Sequence, residues 1–349
     1  MIAASCGLPA AAAQRGGDAL PCDLETAGRI VAVGDVHGAF DRYVAILRET
    51  GLVDARRRWT GGRAVLVQLG DVLDRGGDSR RVLDLLRDLE SQAERDGGRV
   101  HYLLGNHEVM RMQADLRYVA PEEYAAFRSP SSAELRDRVW SVIVERRRAA
   151  ARAAGERFDE RAERAAFLDE TPLGLVEMQM AFGADGEYGR WLRRHDVILE
   201  INDTVFVHGG LSPTVASKGC AAIATTARAE LRDDRIADPD RSGLLLDSEE
   251  GPLWYRGLVD GTASADDLTA VLDAMHARRL VVGHTTTDDG RIASSFDNRL
   301  IAVDTGMLGG DWYPGGVASA LEIDGGAVTA VYVGRRDVIV PGGTPIRDR

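Results

Sequence analysis

Cysteine is scarce in this chain. Cys6, Cys22 and Cys220 are the only three in 349 residues, and no two stand close together. That spacing excludes a CxxC zinc site and a thioredoxin-like redox motif. It also excludes the disulfide framework of a small secreted domain. Three unpaired thiols are expected, with a Cys6–Cys22 bridge as the alternative in an exported protein. Long apolar runs are missing too, so no membrane span is expected. Positive charge is in deficit: 43 Lys and Arg face 55 Asp and Glu, a formal net charge of −12. Such a balance disfavours a nucleic-acid partner, because the phosphate backbone repels it. No repeat recurs at solenoid periods. What is present, 44% hydrophobic and 28% charged residues, is the composition of a globular protein.

Against this background five short strings stand out. They are Gly34-Asp35-Val36-His37-Gly38, Gly70-Asp71-Val72-Leu73-Asp74-Arg75-Gly76, Gly105-Asn106-His107-Glu108, His208-Gly209-Gly210 and Gly283-His284-Thr285. Each joins a metal ligand or an acid/base group to glycine, and most follow an apolar, β-branched run. Arg29–Val33, Ala64–Leu69 and Arg99–Leu104 read as buried strands. The first two motifs lead into amphipathic helices, over Ala39–Thr50 and about Ser79–Glu90. This β–motif–α rhythm predicts a parallel sheet with its functional loops at the carboxyl ends of the strands.

Residues 1–28 read as a flexible lead-in. Met1–Gln14 is alanine-rich and Ala11-Ala12-Ala13 suits a signal-peptidase cut, although no basic segment precedes it and Leu8-Pro9 interrupts it. A periplasmic or secreted location is favoured over a cytoplasmic one. One catalytic domain is expected over 29–335, with a charged, alanine-rich helical insertion over about 111–195 and a tail over 336–349. Val197–Glu200 and Thr204–Val207 are expected to form a strand pair. Asp238–Gly251 reads as a polar loop, and the strand-rich C-terminal part suggests a second sheet.

The ligand types suit hard or borderline divalent ions without thiolate. Asp35 and His37, two apart on a turn, can reach one ion; Asp71 is the bridging carboxylate; Asn106, His208 and His284 complete a second. Two such ions attract a phosphate dianion and make a shared water acidic enough to attack phosphorus as a bridging hydroxide. His107, beside Asn106, is the candidate general acid for the leaving group, and Asp74 its partner. Arg75, Arg256 and Asn106 are the candidate phosphate contacts. His101 reads as a core residue, and His195 and His276 as helix-end cations. Asp304 reads equally as support for a ligand or as a simple turn residue.

These strings resemble the signature of PPP-type metallophosphatases within the calcineurin-like metallophosphoesterases. Asp35-Val36-His37, Asp71 to Arg75 and Asn106-His107-Glu108 match residue by residue. Gly105–Met110 with Asp115–Val119, His208–Pro213 and Trp254–Gly257 are closest to the bacterial Shewanella-like phosphatases. The resemblance implies a four-layer α/β/β/α fold, two divalent metals, with manganese the first expectation and iron or zinc the alternatives, and a phosphorylated protein or peptide as substrate. Val72-Leu73 departs from the eukaryotic serine/threonine enzymes, and their C-terminal strings are missing. Phosphotyrosine and phosphoserine/threonine therefore both stay open. The rival enzyme is a symmetrical dinucleoside-polyphosphate hydrolase; a catalytically dead metal-binding scaffold is the non-enzymatic alternative. The oligomeric state is not legible in the sequence.

Overall fold

The computed structural model describes residues 22–233, 236 and 243–342. The alanine-rich stretch read as an export signal, and Cys6 with it, lies outside the described residues. The chain opens with β1 (Asp23–Leu24) and β2 (Ile30–Val33), followed by α1 (Phe40–Glu49), β3 (Val65–Gln68), α2 (Ser79–Arg95) and β4 (Arg99–Tyr102). Strands β2, β3 and β4 lie side by side and parallel. Their runs are apolar throughout because both faces are covered. Ile30, Ala32, Val65 and Val67 point into one buried cluster, while Val31, Val33 and Leu66 point into another beneath Tyr43, Leu47, Leu86 and Leu89 of α1 and α2. Helix α2 runs on past Glu90 to Arg95 and stops where Gly97 turns left-handed at φ 79°.

Helices α3 (Asn106–Met112), α4 (Pro121–Ala126), α5 (Ser132–Ala154), α6 (Glu160–Glu170), α7 (Leu175–Phe182) and α8 (Glu187–Leu192) fill the region read as a helical insertion. Within it, Trp140, Val144 and Phe167 form a small core of their own between α5 and α6. The chain returns to strand as β5 (Ile198–Ile201) and β6 (Thr204–Val207), an antiparallel pair. Then follow α9 (Pro213–Ala216), α10 (Cys220–Glu230), α11 (Ala265–Ala274), β7 (Arg279–Val282), β8 (Ala293–Ser295), β9 (Leu300–Ala302), β10 (Ser319–Asp324), β11 (Ala327–Tyr332) and β12 (Arg335–Val340).

Two mixed six-stranded sheets result, in the orders β1-β5-β6-β7-β9-β8 and β12-β11-β10-β2-β3-β4. Their inner faces meet in a core where Leu199, Ile201, Phe206 and Val281 pack against Ile30, Val65 and Val67. Helices cover the outer faces, so the molecule is a four-layer α/β/β/α sandwich.

Four expectations need correction. The C-terminal hairpin does not start the second sheet; β10 pairs antiparallel with β2 and extends the first. Both terminal boundaries cut paired structure, since β1 lies along β5 and Arg335–Val340 forms an edge strand on β11. The loop expected to be polar buries Leu244, Leu245 and Leu246. Finally, the thiols are not all free: Cys22 and Cys220 are joined, with their Cα atoms 6.0 Å apart, tying β1's leader to the start of α10.

Candidate metal centre

Every motif loop sits at the carboxyl end of a strand in the two packed sheets, so the loops converge from both. The turns are sharp. His37, Asp71, Asp74, Arg75 and His284 all have positive φ, between 47° and 69°. Side-chain-bearing residues avoid this region except where surrounding structure holds them, and such strain gathers at functional sites. The loops are bound to one another by Glu108, which is fully buried at the start of α3. Its Oε2 accepts from the Gly105 and Asp71 amides, both at 2.8 Å, and its Oε1 from the Val72 amide at 2.9 Å. Gly70 (φ 94°) and Gly105 touch backbone to backbone where a Cβ has no room.

Six predicted ligands meet in the resulting hollow. Asp35, His37, Asp71, Asn106, His208 and His284 are all buried. The imidazoles of His37 and His208 face it in one tautomer. His37 Nδ1 donates to the Leu73 carbonyl at 2.8 Å, and His208 Nδ1 to the Leu69 carbonyl at 2.7 Å. A carbonyl oxygen can only accept, so each ring carries a proton on Nδ1, and its neutral form turns an Nε2 lone pair inward. His208 Nε2 then lies 3.0 Å from Asn106 Oδ1 and 3.4 Å from Asp71 Oδ2. His37 Nε2 lies 3.7 Å from Asp35 Oδ2 and 3.8 Å from Asp71 Oδ2. In the neutral form of these rings, lone pairs would face lone pairs, an arrangement that a cation between them relieves.

Two donor triads follow, each with ligand atoms within 4.8 Å of one another: His37, Asp71 and His107, and Asp71, His208 and His284. Asp71 belongs to both, as a bridging ligand must, while His107 stands in the first group as the proton donor beside the ions and not as one of the six ligands. Burial pushes the Asp35 carboxyl well above its ordinary range, with Asp304 and Asp71 adding to it. Burial holds the His37 imidazole down to about 3 and keeps His284 neutral as well. This site of imidazoles, an amide oxygen and crowded carboxylates fits two divalent cations.

His107 and Asp74 form the expected pair, with His107 Nδ1 2.6 Å from Asp74 Oδ2. Burial alone would lower the imidazole's pKa, but Asp71 and Asp74 overcome it and hold it above the usual value. His107 Nε2 faces the hollow, 3.8 Å from Asp71 Oδ2. Arg75 contacts His37 Nε2 and the Tyr313 hydroxyl at the mouth. Arg256 is exposed beside the other triad; its Nη1 donates to the His284 carbonyl at 3.0 Å and to Thr285 Oγ1 at 3.2 Å. Asp304 is not a mere turn residue. It is buried, and its Oδ2 accepts from Thr286 Oγ1 at 2.7 Å in the loop that follows His284. His195 is not a helix-end cation, because burial drives its pKa down to about 3.

Other residues of the site were not assigned a role from sequence. Arg111 bridges Asp74 and Glu123 beneath the dyad, 3.0 Å from Glu123 Oε2. It stands one helical turn after His107, which is the signal that could have found it. Tyr118 lies against His107 with ring centroids 5.2 Å apart. Together with Trp312 and Tyr313 it surrounds the Arg75 guanidinium, at 5.5, 5.7 and 5.5 Å respectively. Aromatic clustering in Asp311-Trp312-Tyr313 was the sequence signal.

The calcineurin-like phosphoesterase family model matches residues 28–287. The chain is 28% identical over 319 residues to Shewanella-like protein phosphatase 2 of Arabidopsis thaliana, spanning 86% of this chain and 76% of that one. It is 26% identical over 309 residues to Shewanella-like protein phosphatase 1 of Plasmodium berghei, spanning 87% and 74%. Among solved structures it superposes on the cold-active protein-tyrosine phosphatase of a psychrophilic Shewanella species with a TM-score of 0.69 and 27% identity, covering 92% of this chain and 82% of that one. Enzymes of this family depend on a binuclear metal centre. The chain belongs to the calcineurin-like phosphoesterases and is a metal-dependent hydrolase of phosphoesters.

Proposed function

We propose that the enzyme dephosphorylates phosphotyrosine in proteins or peptides, with two manganese ions in its centre and iron or zinc as substitutes. The observation that carries this reading is the aromatic mouth: Tyr118, Trp312 and Tyr313 around Arg75. A phenyl ring whose phosphate is gripped by Arg75 has ring faces on which to stack. An alkyl phosphoserine stem has none.

Asp35, His37, Asp71, Asn106, His208 and His284 would hold the ions. When bound, divalent ions there supply an acidified water as nucleophile and draw charge from phosphoryl oxygens. Arg75 and Arg256 orient the phosphoryl group from the mouth, Arg75 through its planar fork. His107 delivers its Nε2 proton to the leaving oxygen, and Asp74 keeps the imidazole charged and aimed until then. Arg111 and Glu123 fix Asp74 from behind.

The dyad's geometry speaks against the dinucleoside-polyphosphate reading, whose diphosphate leaving group has little need of a general acid. The complete ligand set likewise gives the scaffold reading no support. The Cys22–Cys220 bridge supports an oxidising location, periplasmic or secreted. The test is a phosphopeptide panel on metal-stripped enzyme refilled with one metal at a time. Faster turnover of phosphotyrosine peptides than of matched phosphoserine peptides, best with manganese, is expected. Equal turnover of both would remove the substrate assignment.

A further inference from the structure

Away from the metal centre, the two sheets part at the edge formed by β4 on one side and β1 and β5 on the other. The opening is a cleft of about 1110 Å³. Its floor is apolar, from inward-facing core residues such as Val65, Leu199 and Ile201. Its rim is cationic: six arginines and four carboxylates line it, in a protein of net charge −12. Asp196 is paired with Arg228 at 2.6 Å and Glu94 with Arg99 at 3.4 Å. Arg63, Arg194 and Arg232 form no close ion pair among the described residues, although the charge of Arg194 is felt by Glu90.

The wall of the cleft is a strand with an open edge, since β4 is the last strand of its sheet. The amides of Arg99 and Leu103 face β3, donating to the Ala64 and Gln68 carbonyls at 3.1 and 2.8 Å. The Leu104 amide faces the other way and donates to the Asp196 carbonyl at 2.8 Å. Successive amides alternate along a strand, so those of Val100 and Tyr102 point with Leu104, toward the cleft. Asp196 thus supplies one parallel rung beside Leu103, and no strand pairs with the edge beyond it among the described residues. Deeper in, Glu90 Oε1 and His195 Nε2 lie 3.3 Å apart, each buried without a hydrogen-bond partner among the described residues.

We propose that this cleft docks an acidic, extended peptide segment of a partner protein, which adds a strand to β4 and sets carboxylates against Arg63, Arg194 and Arg232. Open strand edges recruit extended peptides through main-chain hydrogen bonds, with flanking pockets giving specificity. The arginines choose an acidic partner over a basic one. The apolar floor accepts alternate side chains, as an extended peptide presents them. The site is separate from the catalytic hollow and goes beyond the phosphatase reading.

The experiment uses the full chain and a fluorescein-labelled Glu-Val-Glu-Val-Glu-Val peptide, with its Lys-Val counterpart as control. Neither carries phosphate, so the metal centre does not confuse the result. The acidic peptide should bind, and the Arg63→Glu/Arg194→Glu double variant should raise its Kd at least about tenfold. Both arginines are exposed, and an unchanged melting temperature confirms that the variant is folded. On the unaltered chain, hydrogen exchange at the Val100 and Tyr102 amides should slow when the acidic peptide is added. Absence of binding, equal binding of the Lys-Val peptide, an unchanged Kd in the folded variant or unaltered exchange at those amides would each overturn the proposal. Complete displacement by glutarate at equal concentration would also overturn it, assigning the cleft to small anions.

Discussion

Asp74 is held from two sides: its Oδ2 lies 2.6 Å from His107 Nδ1, and its Oδ1 takes the guanidinium of Arg111. The carboxylate is therefore fixed in place and kept ionised. Burial works against its charge, but His107 and Arg111 prevail and keep its pKa below the ordinary value. One proton donor is aimed by a carboxylate that cannot turn away.

His107→Asn should retain the metals but slow hydrolysis of alkyl phosphates, with poor leaving groups, by about 10²–10⁴-fold. An activated aryl phosphate needs less protonation and should lose less. Comparing kcat on p-nitrophenyl phosphate and phosphoserine checks this; equal losses would remove the general-acid role.

The pH dependence has a definite sign. His107 is raised above its usual value, so its acid form persists to higher pH than that of an unperturbed imidazole and is lost as pH rises past the shifted pKa. Turnover of alkyl phosphates should fall on that alkaline limb. Asp74→Asn removes a carboxylate that favours the imidazolium, and should move the limb to lower pH in a kcat–pH profile.

Arg111 lies wholly inside the protein between Asp74 and Glu123. Arg111→Met leaves the buried Glu123 carboxylate without its cation and Asp74 with His107 alone, and should cost about 3–5 kcal/mol in urea unfolding. Adding Glu123→Leu should recover part of that loss. A single variant as stable as the parent would mean that the network contributes little.

Trp312 is half exposed at the mouth. Trp312→Ala should lower kcat/KM for a phosphotyrosine peptide by roughly 3- to 10-fold, the value of one aromatic or cation–π contact. A matched phosphoserine peptide should be little affected. Parallel losses would mean that the ring only shapes the loop.

Glu90 is pushed up to about 7 by burial, with an ordinary value near 4.5. The folded protein thus holds a proton there that the unfolded chain gives up. The associated stability is full below the unfolded pKa and is lost as pH rises toward 7. Glu90→Gln removes this dependence, still accepts from Trp191 Nε1 and can donate to His195 Nε2. Melting curves should show a gain of about 1–3 kcal/mol at pH 8 and little at pH 4.5.

Much of the site was legible because its chemistry is local in sequence. Asp35 and His37, on one turn, and Asn106 and His107, at the start of one helix, are fixed relative to each other, and a glycine beside each pair marks the tight loop packing. Strands such as Ile30–Val33 and Val65–Gln68 were legible because burial on both faces makes them uniformly apolar. What sequence could not supply was pairing across long separations. Nothing in Leu321 or Ile323 says that β10 joins β2 rather than a second sheet, nor in Cys220 that its partner is Cys22. Tyr118 and Tyr313 meet at Arg75 from loops that only the folded sandwich brings together.

Metal counting tests the central claim most directly. Elemental analysis of the purified enzyme should find two divalent ions per chain. Asp71→Asn should weaken both ions, because this residue belongs to both triads, and exhaustive chelation should abolish turnover until metal is restored. Full activity after chelation, or an Asp71→Asn enzyme that keeps both ions, would contradict the account.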